Sequence, residues 1–139
     1  MEAPTTTQLN PYLTFDGNCE EAINFYQSIL GGETDFKRFS DGPADMPIDE
    51  GQNNKIMHVL FTFDGCTLMA SDSGGHYPVH QGNNVHLSLY FPNKEKAAAA
   101  FEKFSEGGMV TAPFKEVFWG GSFGSVTDKF GISWLFNCA

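Results

Sequence analysis

Hydrophobic positions in this chain keep two rhythms, and the order in which the rhythms occur is repeated. The run NPYLTFDGNCEEAINFYQSILGG from Asn10 opens with alternating apolar residues, turns, then places Ala22, Tyr26 and Ile29 at i, i+4 and i+7 before Gly31-Gly32. From Asn84, NVHLSLYFPNKEKAAAAFEKFSEGG does the same, with Ala97, Phe101 and Phe104 before Gly107-Gly108. A period of two reads as a strand and a period near 3.6 as an amphipathic helix, so each run predicts strand, turn, helix. Asn18 and Asn93 stand where N-caps are wanted, acidic residues follow in the first turn, and the glycine pairs suit helix stops.

Further strand signals follow each helix. In the first half they are ETDFKRFS (33–40), KIMHVLFTFDG (55–65) and CTLMASD (66–72), with Asp64-Gly65 as a hairpin turn. In the second half they are MVTAPFKEVFW (109–119), FGSVTD (123–128) and ISWLFN (132–137). Each half is therefore strand, helix, three strands. Two such βαβββ modules, residues 8–74 and 83–139, are expected to form one domain, with an acidic, Pro- and Gly-rich loop at 41–54. Each helix covers one sheet face, and the bare faces are expected to join as a curved mixed sheet around a central cleft. Alternation then sorts the strands. Leu9, Pro11, Leu13, Phe15, Met57, Val59, Phe61, Phe63, Leu68, Ala70, Val85, Leu87, Leu89, Ile132, Trp134 and Phe136 belong to the helix side. Asn10, Tyr12, His58, Leu60, Met69, His86, Ser88, Tyr90, Leu135 and Asn137 line the cleft. Cys66 is read as core.

At 139 residues the chain is long enough for one substantial core. Its formal charge of −9, without a basic cluster, sets nucleic-acid binding aside. No apolar run approaches the roughly 20 residues that cross a bilayer, and MEAPTTTQLN has no signal-peptide pattern. Cys19, Cys66 and Cys138 are an odd, widely spaced set, which suits a reducing cytoplasm better than disulfides or a zinc knuckle.

The duplicated module, and more narrowly NPYLTFDGNCEEAINFY, TLMASD and FWGGSFGSVTDKFGISW, resembles the PhnB-like branch of the vicinal oxygen chelate superfamily. That is the glyoxalase, bleomycin-resistance and dioxygenase fold, and this branch is often labelled after a 3-demethylubiquinone-9 3-methyltransferase. The resemblance implies that TDKFGISW joins the last two strands, with Gly131 at a positive φ and Asp128 bonding turn amides. It makes FWGGSFG a preceding loop, with Trp119 and Phe123 as apolar cover for the cleft and glycines that permit close approach. It also implies a homodimer.

Metal-dependent members of that superfamily place His, Gln or Glu ligands on the first, fourth, fifth and eighth strands. The corresponding residues here are Asn10 or Tyr12, Met69, His86 and Leu135, and only His86 is an ordinary ligand. His58 and Asp72 are the other candidates for a divalent ion. His76 and His80 fall in a Pro- and Gly-rich loop that opposes a shared helical face. Cys19 opens a helix, where a thiolate is favoured, but no histidine is placed beside it. The expected function is binding of a small, partly aromatic or amphiphilic molecule in the cleft, without a cofactor. The wall residues are Asn10, Tyr12, His58, Met69, His86, Trp119, Phe123 and Leu135. The alternatives are a divergent metal-dependent enzyme using His58, His86 and Asp72, and a non-catalytic dimeric scaffold.

Overall fold

A computed structural model describes residues 3–139. The chain divides into two compact units, residues 1–79 and 80–139. The first runs β1 (Tyr12–Phe15), α1 (Cys19–Leu30), β2 (Glu33–Arg38), a 3-10 turn (Phe39–Asp41), β3 (Ile56–Phe63) and β4 (Cys66–Asp72). The second runs β5 (Leu87–Phe91), α2 (Lys94–Ser105), β6 (Met109–Glu116), β7 (Ser122–Thr127) and β8 (Ser133–Cys138). Each unit is thus a βαβββ module.

The sheets repeat one topology, β1-β4-β3-β2 and β5-β8-β7-β6. In each, the outer pair before the helix is parallel, β1 with β4 and β5 with β8, and the remaining pairs are antiparallel. The parallel pairing needs a long crossover, and the helix supplies it. Both sheets are therefore mixed, and there are two of four strands each where one joined sheet was expected.

Burial follows the two periods. Helix α1 buries Cys19, Ala22, Ile23 and Tyr26, and α2 buries Ala97, Ala100, Phe101 and Phe104. Beneath α1 lie Val59, Phe61, Leu68 and Ala70, all buried. Beneath α2 the core is aromatic: Phe136 meets Phe101 and Phe104 edge-on, each with centroids 5.2 Å apart, and Phe104 meets Trp134 at 5.0 Å. Edge-on packing sets a positive ring edge against a negative face. Gly124 in β7 lies against Phe101 of α2 and Phe114 of β6. A Cβ there would lie 2.9 Å from Phe101 and from Phe114, so the position has no room for a side chain.

The two short turns differ. Asp64 and Gly65 both take positive φ, 46° and 77°, as a two-residue hairpin turn between Phe63 and Cys66 requires. Between β7 and β8 the turn is longer. Asp128 Oδ1 accepts the Phe130 and Ile132 N–H groups, and Gly131 sits at φ 89°.

Several boundaries depart from the sequence pattern. Leu9 and Val85 are 99% and 74% exposed instead of core, because both precede the ladders, which begin at Tyr12↔Met69 and Leu87↔Trp134. Cys66 is exposed, since it stands at the hairpin tip. Strand β2 stops at Arg38 and β6 at Glu116, so Phe118 and Trp119 belong to a turn. Phe123 and Gly124 belong to β7 and not to a loop. Asn93 accepts the Lys96 N–H as an N-cap, but Asn18 makes no side-chain cap.

Candidate functional site

The ladder register fixes which side chains share the face that no helix covers. In the first sheet, Tyr12 pairs with Met69, Met69 with Leu60 and Leu60 with Asp35. Directly opposed residues project to the same side, so these four form one row across the sheet. In the next row Thr14 pairs with Ser71, and His58 with Lys37. The Tyr12 and His58 rings stand 6.0 Å apart at 47°. Tyr12 is half exposed, whereas His58 and Met69 are half-buried, so the patch is open to a ligand. Lys37 lies at the edge and pairs with Asp35 at 3.4 Å, which leaves the row between them and Tyr12 without a net charge.

The second sheet carries a different face. Leu135 pairs with Ser88 on one side and Ser125 on the other, and Asn137 with Tyr90 and Phe123. Hydrogen bonds link these side chains: Asn137 Nδ2 donates to Ser88 Oγ at 3.0 Å, and the Thr111 and Ser125 hydroxyls meet at 2.6 Å. Thr127 and Ser133 approach at 3.4 Å. The face is a half-buried leucine and phenylalanine framed by neutral hydrogen-bonding groups, with exposed Lys115 opposite Phe123 at its edge.

These registers place the expected wall residues unequally. Tyr12, His58 and Met69 come together in the first unit, with Asn10 just before the strand and half-buried. Phe123 and Leu135 share the face of the second sheet. His86 is exposed and precedes β5, outside the ladder. Trp119 is 66% exposed on the β6–β7 turn and touches Phe118 edge-on at 4.9 Å. Thr111, Ser125 and Thr127 escaped the sequence sorting. The period-two run SFGSVT held the signal for Ser125 and Thr127, but the register shifts in β6 break alternation around Thr111.

Asp72 stands on the helix side of the picture. It is buried, its Oδ1 accepts the N–H groups of Gly17 and Cys19 at 2.9 and 3.0 Å, and its Oδ2 accepts that of Ile56 at 2.8 Å. The carboxylate therefore caps α1 from a distant strand and ties it to the start of β3. Burial pushes the Cys19 thiol up, and the charges of Asp72 and Glu20 add to the shift, so it is not an activated nucleophile. The Arg38 guanidinium grips Glu20 through two bonds, at 2.6 and 3.1 Å, and holds its carboxyl below the usual range. His76 and His80 are exposed loop residues. Among the described residues, no three His, Cys, Asp or Glu side chains are grouped as a metal ion requires, and no helix is long and apolar enough to cross a membrane.

The chain is similar to proteins of one family along nearly its whole length. Residues 7–136 match the model of the family described as 3-demethylubiquinone-9 3-methyltransferase. Protein YjdN of Escherichia coli K12 is 31% identical over 141 residues, covering 93% of each chain. The crystal structure of PA1353 from Pseudomonas aeruginosa is 37% identical, with a TM-score of 0.84 over 96% of this chain and 98% of that one. The PhnB protein of Bacillus cereus, 24% identical, shares the fold with a TM-score of 0.78 over 96% of this chain and all of its own. Solved structures related to glyoxalases and to the glyoxalase/bleomycin resistance/dioxygenase superfamily share it at 18% identity. With residues 7–136 matched by its model and a relative 31% identical over 93% of each chain, this chain is a member of the 3-demethylubiquinone-9 3-methyltransferase family, and its two βαβββ units have the vicinal oxygen chelate fold.

Proposed function

We propose that this protein binds a small, partly aromatic or amphiphilic molecule, as expected above, on a helix-free sheet face. It does so without the divalent ion of metal-dependent glyoxalases. The observation that carries the reading is the row Tyr12–Met69–Leu60, with the His58 imidazole beside the Tyr12 ring. It offers an aromatic face, a polarizable thioether and an alkyl chain, with few polar anchors, which is the usual make-up of a small-molecule site. The donors support the metal-free part. Where the resemblance expects ligands on the fourth and eighth strands, Met69 offers a soft thioether and Leu135 no lone pair. The methyl transfer in the family's description is not part of this reading.

Thermal unfolding against a panel of aromatic and amphiphilic metabolites tests it. A ligand at a hundred times its Kd adds about 2.7 kcal/mol, several degrees in Tm for a chain of this size. A chelator is expected to leave Tm unchanged. A panel without any stabilising compound, or stoichiometric metal in tag-free protein, overturns the proposal. A cytoplasmic homodimer belongs to the same reading, supported by the exposed Met109 and Val110 on the unpaired edge of β6. Light scattering at micromolar concentration is expected to give twice the chain mass, and a monomer refutes this part.

A further inference from the structure

The two helix-free faces differ in chemistry, and the second one has a preference of its own. Seventeen of the 139 residues are acidic and eight are Lys or Arg, yet the ladder rows around Leu135 hold none of either kind except at one edge. From β5 across β8 to β7 the rows read Ser88–Leu135–Ser125 and Tyr90–Asn137–Phe123, with Ser133 opposite Thr127. Lys115, opposite Phe123 on the outermost strand β6, is the exception, and it is exposed.

Resting on the reading above, we infer that this face selects an uncharged, oxygen-bearing group of the ligand, a hydroxyl, ester or carbonyl, over a carboxylate or phosphate. The reason is what each partner can offer. Serine and threonine hydroxyls both donate and accept, so they adapt to a neutral oxygen. The Asn137 amide gives one N–H to Ser88 and keeps one N–H donor and its carbonyl acceptor, so it meets a neutral hydroxyl or carbonyl without supplying the positive charge an anion needs. Ser125 is buried beside half-buried Leu135. An anion set against these two would give up water without gaining a cation, which is costly, whereas a neutral oxygen exchanges one hydrogen bond for another.

Matched pairs test this: methyl 4-hydroxybenzoate against 4-hydroxybenzoate, and benzyl alcohol against benzoate, titrated at pH 7.5 into the full chain. Amide shifts of Ser88, Leu135 and Asn137 are followed by NMR. The neutral member of each pair is expected to bind at least about tenfold more tightly, the factor set by one unpaired charge or hydrogen bond, and to move these three amides. Asn137→Asp, nearly isosteric, is expected to widen the gap further. Ser88→Ala, an exposed change that leaves the core intact, is expected to weaken the neutral member alone. If the acids bind as well or better, the inference falls and the binding proposal stands. If neither member of either pair binds or moves these amides, both fall.

Discussion

The two units share one topology but are fastened differently. In the first, the helix start is capped from across the fold: Asp72, at the end of β4, takes the N–H groups of Gly17 and Cys19 and also that of Ile56. In the second, the cap is local, since Asn93 accepts the N–H three residues on. The buried aspartate of that unit serves the β7–β8 turn, where Asp128 holds Phe130, Ile132 and the Trp134 indole N–H, the last at 2.9 Å. The lesson is that sheet order and a buried stripe define the module, while the orphan donors at helix starts and turns can be met by whichever carboxylate or amide is within reach.

Removing those carboxylates gives the largest effects. Asp72→Ala leaves the buried N–H groups of Cys19 and Ile56 without their acceptor, at about 1–3 kcal/mol each, so a loss on the order of 4 kcal/mol is expected in urea unfolding. Asp128→Ala strands the buried Phe130 N–H and Trp134 indole N–H, and by the same count is also expected to cost on the order of 4 kcal/mol. Hydrogen exchange separates them. Asp72→Ala should expose the first turn of α1 and Ile56 together, and Asp128→Ala only the β7–β8 turn. Equal spread of the damage in both variants would erase the contrast between long-range and local fastening.

The next effect is alkaline and arises in the first unit. The Cys19 thiol is raised by burial, so it stays protonated in the fold, while the unfolded chain releases that proton near the ordinary value of about 8.5. The folded state then binds more protons than the unfolded one. The stabilisation is complete below that pH and declines above it, by up to about 1.4 kcal/mol per pH unit. Cys19→Ala is expected to flatten the slope between pH 8 and 10. In the same range the exposed Cys66 should take up a thiol reagent in the native protein, with Cys19 protected.

The smallest test is the sharpest comparison of the helix starts. Asn93→Ala removes a real cap and is expected to cost about 1 kcal/mol. Asn18→Ala, at the matching position, should change stability by less than about 0.5 kcal/mol, because its side chain caps nothing. A similar cost at both positions would show that Asn18 acts in a way the geometry does not contain.

Much of this was legible in the residues themselves. Ala22 with Tyr26, and Ala97 with Phe101 and Phe104, mark buried stripes because a helix returns to one side every 3.6 residues. Asp64-Gly65 marks a hairpin because few other pairs take two positive φ angles in succession. Period two put Tyr12, His58, Met69 and Leu135 on the sides of their strands that face away from the helices. Those are local properties, written into consecutive residues.

What local pattern cannot contain is which distant strand lies alongside. Leu9 and Val85 continue an alternating run but have no ladder partner, so tertiary pairing alone left them exposed. The same pairing brought Asp72 to Gly17, fifty-five positions away, and turned a metal candidate into a helix cap. It also set Leu135 between Ser88 and Ser125, and left Lys115 at the outer edge of that face. Periodicity is a short-range geometric fact, whereas a hydrogen bond between remote segments exists only once the chain has closed the loop between them.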